Sequence, residues 1–229
     1  PFMTQIVKET LNVRIEHPVH SLPLNTHGLG TLGEPDVQAL NPELSPDGKR
    51  VAVDRGSSSG KNDIWLVEAS RGVLERFTSD ASSNIAPIWS PDGNSIVFTS
   101  NQKGIYDLYQ KPASGAGIEK LLLSSAWPKW AVSWSPDGQF VLYREQDPKT
   151  NFDLWALPIA GDHKAFPVVN TGSEEREGQF SPDSRWMAFQ SKESGRSEIY
   201  VEPFPGPGRR VRVSTNGGAQ ARWRKDGKE

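Results

Sequence analysis

Short β-rich stretches such as Arg50–Val53 and Ser95–Thr99 alternate with tight polar turns along this chain. The longest apolar runs, such as Leu121–Leu123, are strand-sized, far below the 18 or so residues of a membrane span. The turns recur in register. Ser45-Pro46-Asp47-Gly48 returns as Ser90-Pro91-Asp92-Gly93 and Ser135-Pro136-Asp137-Gly138. It weakens to Ser181-Pro182-Asp183-Ser184 and then to Arg224-Lys225-Asp226-Gly227, in steps of 45, 45, 46 and 43 residues. A second marker keeps pace: Asp63-Ile64-Trp65, Asp107-Leu108-Tyr109, Asp153-Leu154-Trp155 and Glu198-Ile199-Tyr200. These begin 18, 17, 18 and 17 residues after the matching serines. Chance does not lock two markers together four times.

Each unit reads as four short strands. The first ends on an apolar residue before the turn, at Leu44, Trp89, Trp134, Phe180 or Trp223. Proline pre-sets φ in the turn, and glycine accepts φ > 0. The second strand follows at once, the third carries the Asp-apolar-aromatic marker, and Leu74–Thr78 typifies the fourth. Four strands per 40–45 residues is the spacing of a propeller blade, with an ordinary β-sandwich as the competing reading. The predicted fold is all-β, a five-bladed β-propeller of four-stranded antiparallel blades. Blades are expected at 36–80, 81–124, 125–170 and 171–215. The closing blade would combine N-terminal strands within 1–35 (Leu11–Glu16, Val19–Leu24 and Leu29–Gly33) with an inner strand within 216–229, about Ala219–Arg224. A strand-swapped dimer built from an incomplete ring is the alternative to a closed monomer.

Composition narrows the classes. The 21 glycines and 18 prolines argue against a mainly helical protein. The absence of cysteine excludes disulfides, thiolate metal sites and a cysteine nucleophile, and leaves both the cytoplasm and the periplasm open. A net charge of −2 supplies no basic field for nucleic acid, although Arg209, Arg210, Arg212, Arg222, Arg224, Lys225 and Lys228 make the C-terminal stretch locally basic. No membrane insertion is expected. Gly56–Lys61 lacks the spacing of a phosphate-binding loop and reads as a flexible connection between two strands of one blade.

The Ser-Pro-Asp-Gly turns, the preceding tryptophans and the Asp-Ile/Leu-Trp/Tyr strands together resemble the TolB-like propeller repeat over roughly residues 36–229. Asp107–Gly117, Phe180–Ser191 and Glu198–Gly227 are more similar still to propellers fused behind bacterial serine/threonine kinase domains, above all Tyr200–Gly208. Such propellers are normally longer, with six blades. Residues 1–28 match the pattern poorly, as a divergent blade or foreign sequence would. No kinase motif is present. The resemblance implies a propeller carried as part of a larger bacterial protein, and leaves function to be argued from the site.

Two candidate sites follow from the residues. Positions four and two before each turn serine are expected to face the channel. They are Asn41 and Glu43, Ala86 and Ile88, Ala131 and Ser133, Glu177 and Gln179, and Gln220 and Arg222. Asn41, Glu43, Glu177, Gln179, Gln220 and Arg222 make one side of such a channel polar. Oxygen ligands from Glu43 and Glu177, with Asn41 and Gln179, suit Ca²⁺ or Mg²⁺, whereas a wet channel with Arg222 neutralising a carboxylate needs no ion. His17, His20 and His27, beside Glu16, are the second cluster and would suit Zn²⁺ or Mn²⁺. The recurrent aspartates of both markers are expected to be structural, and the tryptophans to seal the blades. Two functions remain: a module binding a protein, peptide or small-molecule ligand, or a metal-dependent hydrolase of esters, lactones or phosphotriesters.

Overall fold

Each Ser-Pro-Asp-Gly segment closes on itself. In the first, the Ser45 hydroxyl donates to Asp47 Oδ1 at 2.6 Å and accepts from the Arg50 amide at 2.9 Å. The Lys49 amide adds a bond to Asp47 Oδ1 at 3.1 Å, and the Gly48 amide donates to the Ser45 carbonyl at 2.8 Å. Gly48 sits at φ +71°, where a side chain would be strained. The serine–aspartate pairing recurs at Ser90/Asp92, Ser135/Asp137 and Ser181/Asp183. The serine hydroxyl, then a backbone amide, holds the Asp47, Asp92 and Asp183 carboxyls below the ordinary range. The recurrent aspartate is a turn residue, as the repetition predicts.

The computed structural model describes residues 39–57, 60–224 and 226–227. The turns organise four antiparallel sheets, each a meander of four strands in sequence order. The first blade holds β1 (Ala39–Leu44), β2 (Arg50–Gly56), β3 (Asn62–Glu68) and β4 (Leu74–Arg76). The second holds β5 (Asn84–Trp89), β6 (Ser95–Ser100), β7 (Asp107–Pro112) and β8 (Lys120–Leu123). The third holds β9 (Lys129–Trp134), β10 (Phe140–Asp147), β11 (Asn151–Pro158) and β12 (Phe166–Val169). The fourth holds β13 (Glu175–Phe180), β14 (Trp186–Ser191), β15 (Glu198–Pro203) and β16 (Val211–Arg212). The first two blades belong to one compact unit and the last two to another, divided between Ser124 and Ser125.

The five-bladed closure does not hold: the described residues form four blades. The expected N-terminal strands lie outside the described residues. Ala219–Arg224 is not a strand, although its packing groups are in place. The Trp223 indole N–H donates to the Gln179 carbonyl at 3.0 Å, and buried Ala221 packs with Ala188, Ile199 and Val201. Side chains can dock on a neighbouring blade unaided, but a strand needs a hydrogen-bonded ladder. Among the described residues nothing supplies one here.

Each unit seals its pair of blades with an apolar layer. In the first unit Ile64, Leu66, Phe77, Trp89, Ile96, Phe98 and Tyr109 form it. Trp89 also donates its indole N–H to the Glu43 carbonyl at 3.0 Å, the same link that Trp223 makes to Gln179. In the second unit the layer includes Leu142, Leu154, Phe180, Met187, Phe189 and Phe204. Gly178 is pressed against it, since a Cβ there would lie 2.5 Å from Leu142 Cδ2 and 3.1 Å from Leu154 Cδ1. Gly178→Ala is therefore expected to cost about 1–3 kcal/mol by overpacking, read as a lower urea midpoint at unchanged m-value.

Candidate functional site

The inner strands are not regular. In β1, Asn41 and Pro42 together oppose Val53, because the register passes from Leu40↔Asp54 directly to Glu43↔Ala52. The same extra residue occurs in β5, between Ile85 and Ile88, and in β13, between Arg176 and Gln179. Asn41, Ala86 and Glu177 take φ of 48°, 52° and 52° at these bulges, and Gln220 takes 52° at the matching place. A bulge resets the alternation of a strand, so residues two apart across it do not share a face as in a regular strand. The sequence-based pairing of Asn41 with Glu43, and of Glu177 with Gln179, assumes an alternation that the fold breaks.

Each channel candidate has a definite place. Asn41 is exposed, and its Nδ2 donates to Asp54 Oδ1 at 2.7 Å. Glu43 and Gln179 are half-buried and offer their carbonyls to the tryptophans named above. Glu177 meets Arg144 at 3.4 Å. Gln220 and Arg222 are exposed, with Arg222 Nη1 donating to the Ala221 carbonyl at 3.3 Å. Glu43 belongs to one unit and Glu177 to the other. His17, His20 and His27 lie outside the described residues. Among the described residues no group of three or more His, Asp or Glu side chains stands together as a metal site.

The polar residues that reach the bulges come from the second strands. Asp54, 1% exposed, accepts from the Asn41 amide, from Asn62 Nδ2 at 3.1 Å and from the Ala86 backbone amide at 3.2 Å. It thus ties the bulge of β5 to the preceding blade. Arg144 holds the equivalent position in the other unit and reaches Glu177, the bulge residue of β13. Its guanidinium lies 5.4 Å from the Trp130 ring and 5.0 Å from the Phe152 ring, while Arg176 stacks on Phe152 at 4.3 Å. Burial pulls the Arg144 guanidinium below its usual value, against the opposing pull of Glu177. Glu174, whose carboxyl pKa is lowered against its burial by Lys192 and Arg176, borders the group, and Trp127 is 43% exposed near the start of β9.

The end of the first blade, where β2 runs into β3, forms a cleft of about 520 Å³. Arg55, Ser57, Lys61, Asp63, Trp65 and Arg76 line it, with Asp80–Ser82 of the interblade loop. Arg55 stacks over Trp65 at 5.6 Å, Arg76 pairs with Asp63 at 2.6 Å, and Lys61 Nζ donates to the Ala81 carbonyl. Gly56, Ser57 and Lys61, from the stretch read as a flexible connection, contribute to one wall. The repeats contain a signal for the missed residues: nine places after each turn serine stand Asp54, Thr99, Arg144 and Gln190, polar where the two preceding positions are apolar.

Sequential four-stranded blades with bulged inner strands and charged, aromatic hairpin ends define a β-propeller module. The chain belongs to the TolB beta propeller domain family, whose model matches residues 19–163. It is 31% identical over 91 residues to an uncharacterized peptidase of Bacillus subtilis, YuxL, a span of 37% of this chain and 14% of that protein. It is 27% identical over 105 residues to the Tol-Pal system protein TolB of Alcanivorax borkumensis, covering 45% of this chain and 24% of the relative. The chain thus spans a quarter or less of the length of these two curated relatives. The solved structure of TolB from Acinetobacter baumannii superposes with a TM-score of 0.66 at 22% identity, over 77% of this chain and 43% of that one. Likeness at this identity supports the fold alone. No helix among the described residues is long and apolar enough to cross a membrane.

Proposed function

We propose that this chain is a binding module, without chemistry of its own, that takes a protein or peptide at the blade ends where second strands turn into third strands. The carrying observation is the set of arginines laid on aromatic rings there: Arg55 on Trp65, and Arg144 and Arg176 around Phe152. Arginine and aromatic side chains are the groups enriched where protein interfaces hold most of their energy. They present flat apolar surface and directed donors at little conformational cost. Likeness to a Tol-Pal system protein supports a docking role.

Peptides selected by display on the immobilised chain test this reading. Selected sequences are expected to bind with micromolar affinity by calorimetry. Arg144→Gln and Arg176→Gln should each weaken binding roughly tenfold, the value of one charged contact. The competing reading is a metal-dependent hydrolase using His17, His20, His27, Glu43 or Glu177. Stoichiometric bound metal with chelator-sensitive turnover of lactones, aryl esters or phosphotriesters would overturn the binding module.

A further inference from the structure

We propose that the corner formed by Trp186, Val211 and Trp223 binds a partner protein segment by taking up one phenylalanine side chain. The proposal goes beyond the arginine–aromatic ends described above and stands on a different part of the fold. Trp186 opens β14 and is 41% exposed, and Val211 of β16 is 38% exposed. The ladder puts both on one face of the fourth blade. Trp186 stands opposite Pro203, and two places along Ala188 stands opposite Val201, which pairs in turn with Val211. Half-buried Trp223 packs on the same face, against Ala188, Ile199, Val201 and Ala221.

The third blade shows what such a corner holds. Phe140 stands five places after its turn serine, as Trp186 does, and Phe166 pairs with Ala156 as Val211 pairs with Val201. Phe180 precedes its turn as Trp223 does. Onto these three rings comes Phe204, six places after the acid of the fourth blade's marker, Glu198. It meets Phe180 at 4.7 Å, Phe140 at 5.1 Å and Phe166 at 6.4 Å. The first unit repeats the plan with a smaller plug. There Arg50 lies 4.9 Å from the Trp89 ring and donates through Nη1 to the Ala113 carbonyl at 2.8 Å. Ala113 is 2% exposed and stands six places after Asp107. In the fourth blade the three walls recur, and among the described residues the repeats place nothing in the fourth position. An aromatic-walled recess of this kind is where one buried anchor side chain carries most of an interface's energy. The fitting partner carries phenylalanine between prolines at the end of an extended stretch, as Phe204 lies between Pro203 and Pro205 after β15.

Nuclear magnetic resonance titration of the ¹⁵N-labelled full chain tests the assignment. The probe is acetyl-Tyr-Val-Glu-Pro-Phe-Pro-Gly-amide, the sequence of residues 200–206, set against its counterpart with alanine in place of phenylalanine. The phenylalanine peptide is expected to shift the Trp186 and Trp223 indole resonances saturably, with a dissociation constant of about millimolar order. The alanine peptide should bind roughly tenfold more weakly, and added salt should not weaken the phenylalanine peptide. Trp186→Ala should remove the binding at a nearly unchanged thermal midpoint, and Val211→Lys gives the same reading should that variant fold poorly. Arg144→Gln should bind the peptide as the parent does. Equal binding of the two peptides, no shift at the two indoles, or unchanged affinity in Val211→Lys would overturn the proposal. So would indole shifts that follow protein concentration without peptide, which would make a second copy of the chain the occupant. Saturable shifts confined to the Arg144–Phe152 region would overturn it too, yet leave the binding module standing.

Discussion

Phe204→Ala is expected to lower stability by about 3–5 kcal/mol, the cost of emptying a large aromatic site in a packed core. Phe204 follows β15 and is 6% exposed. Its ring lies 4.7 Å from Phe180 and 5.1 Å from Phe140, both edge-on, and 6.4 Å from Phe166, nearly parallel. These rings come from both blades of the unit, so one side chain cements the pair. The Phe204 amide also bonds the Arg185 carbonyl at 2.8 Å, fixing the chain as it leaves the strand. Thermal unfolding should show a midpoint lower by roughly 10 °C, and Phe204→Leu should lose far less. A loss below about 1 kcal/mol for the alanine variant would mean that the aromatic cluster does not hold the blades.

Glu175→Gln is expected to do the opposite and stabilise the protein above neutral pH. Glu175 and Asp153 are 0% and 2% exposed, and the Asp153 charge acts on the Glu175 carboxyl. Thr171 and Ser191 hydroxyls donate to Glu175 Oε1, and Thr150 donates to Asp153 Oδ2. Glu175 Oε2 and Asp153 Oδ1 receive no protein donor among the described residues. Burial and mutual repulsion both disfavour ionising two such carboxylates together, which favours a proton on the pair. Burial, then the Asp153 charge, pushes Glu175 up to about 7. Burial also raises Asp153.

The folded value of Glu175 exceeds its unfolded value near 4.5, so the folded state binds the extra proton between the two. The stability this proton confers is complete below about pH 4.5 and is lost as pH rises through about 7. Glutamine keeps the size, carries an amide that can donate toward Asp153, and does not titrate. The variant should match the parent near pH 5 and exceed it by on the order of 2 kcal/mol at pH 8. Urea denaturation from pH 5 to 9 reads the difference. A parent as stable relative to the variant at pH 8 as at pH 5 would refute the shared proton.

The blades were legible because each repeat carries its own instructions. Ser45-Pro46-Asp47-Gly48 builds its turn from contacts within six residues, and Asp63 with Thr78 and Arg76 closes the outer strands. The number of blades was not legible. Ala221 and Trp223 preserve the packing signature of a fifth repeat without the ladder that makes a strand. The polar character of Asn41 and Glu177 was visible, but which way they point depends on bulges invisible to strict alternation. Asp54 and Arg144 were overlooked as ordinary strand residues, although both reach the next blade. Glu175 carries no repeat marker, and its burial, like that of Asp153, comes from the packing of whole blades. What local sequence cannot encode is which side chain of one repeat meets which side chain of the next.

The most direct measurement is hydrogen–deuterium exchange of the full chain with a display-selected peptide bound. The binding-module account predicts slowed exchange at the ends where β2 meets β3 or β10 meets β11, with the adjoining interblade loops. The Ser-Pro-Asp-Gly ends of the same blades should be unchanged. Protection confined to those Ser-Pro-Asp-Gly ends, with none at the arginine–aromatic ends, would contradict the account.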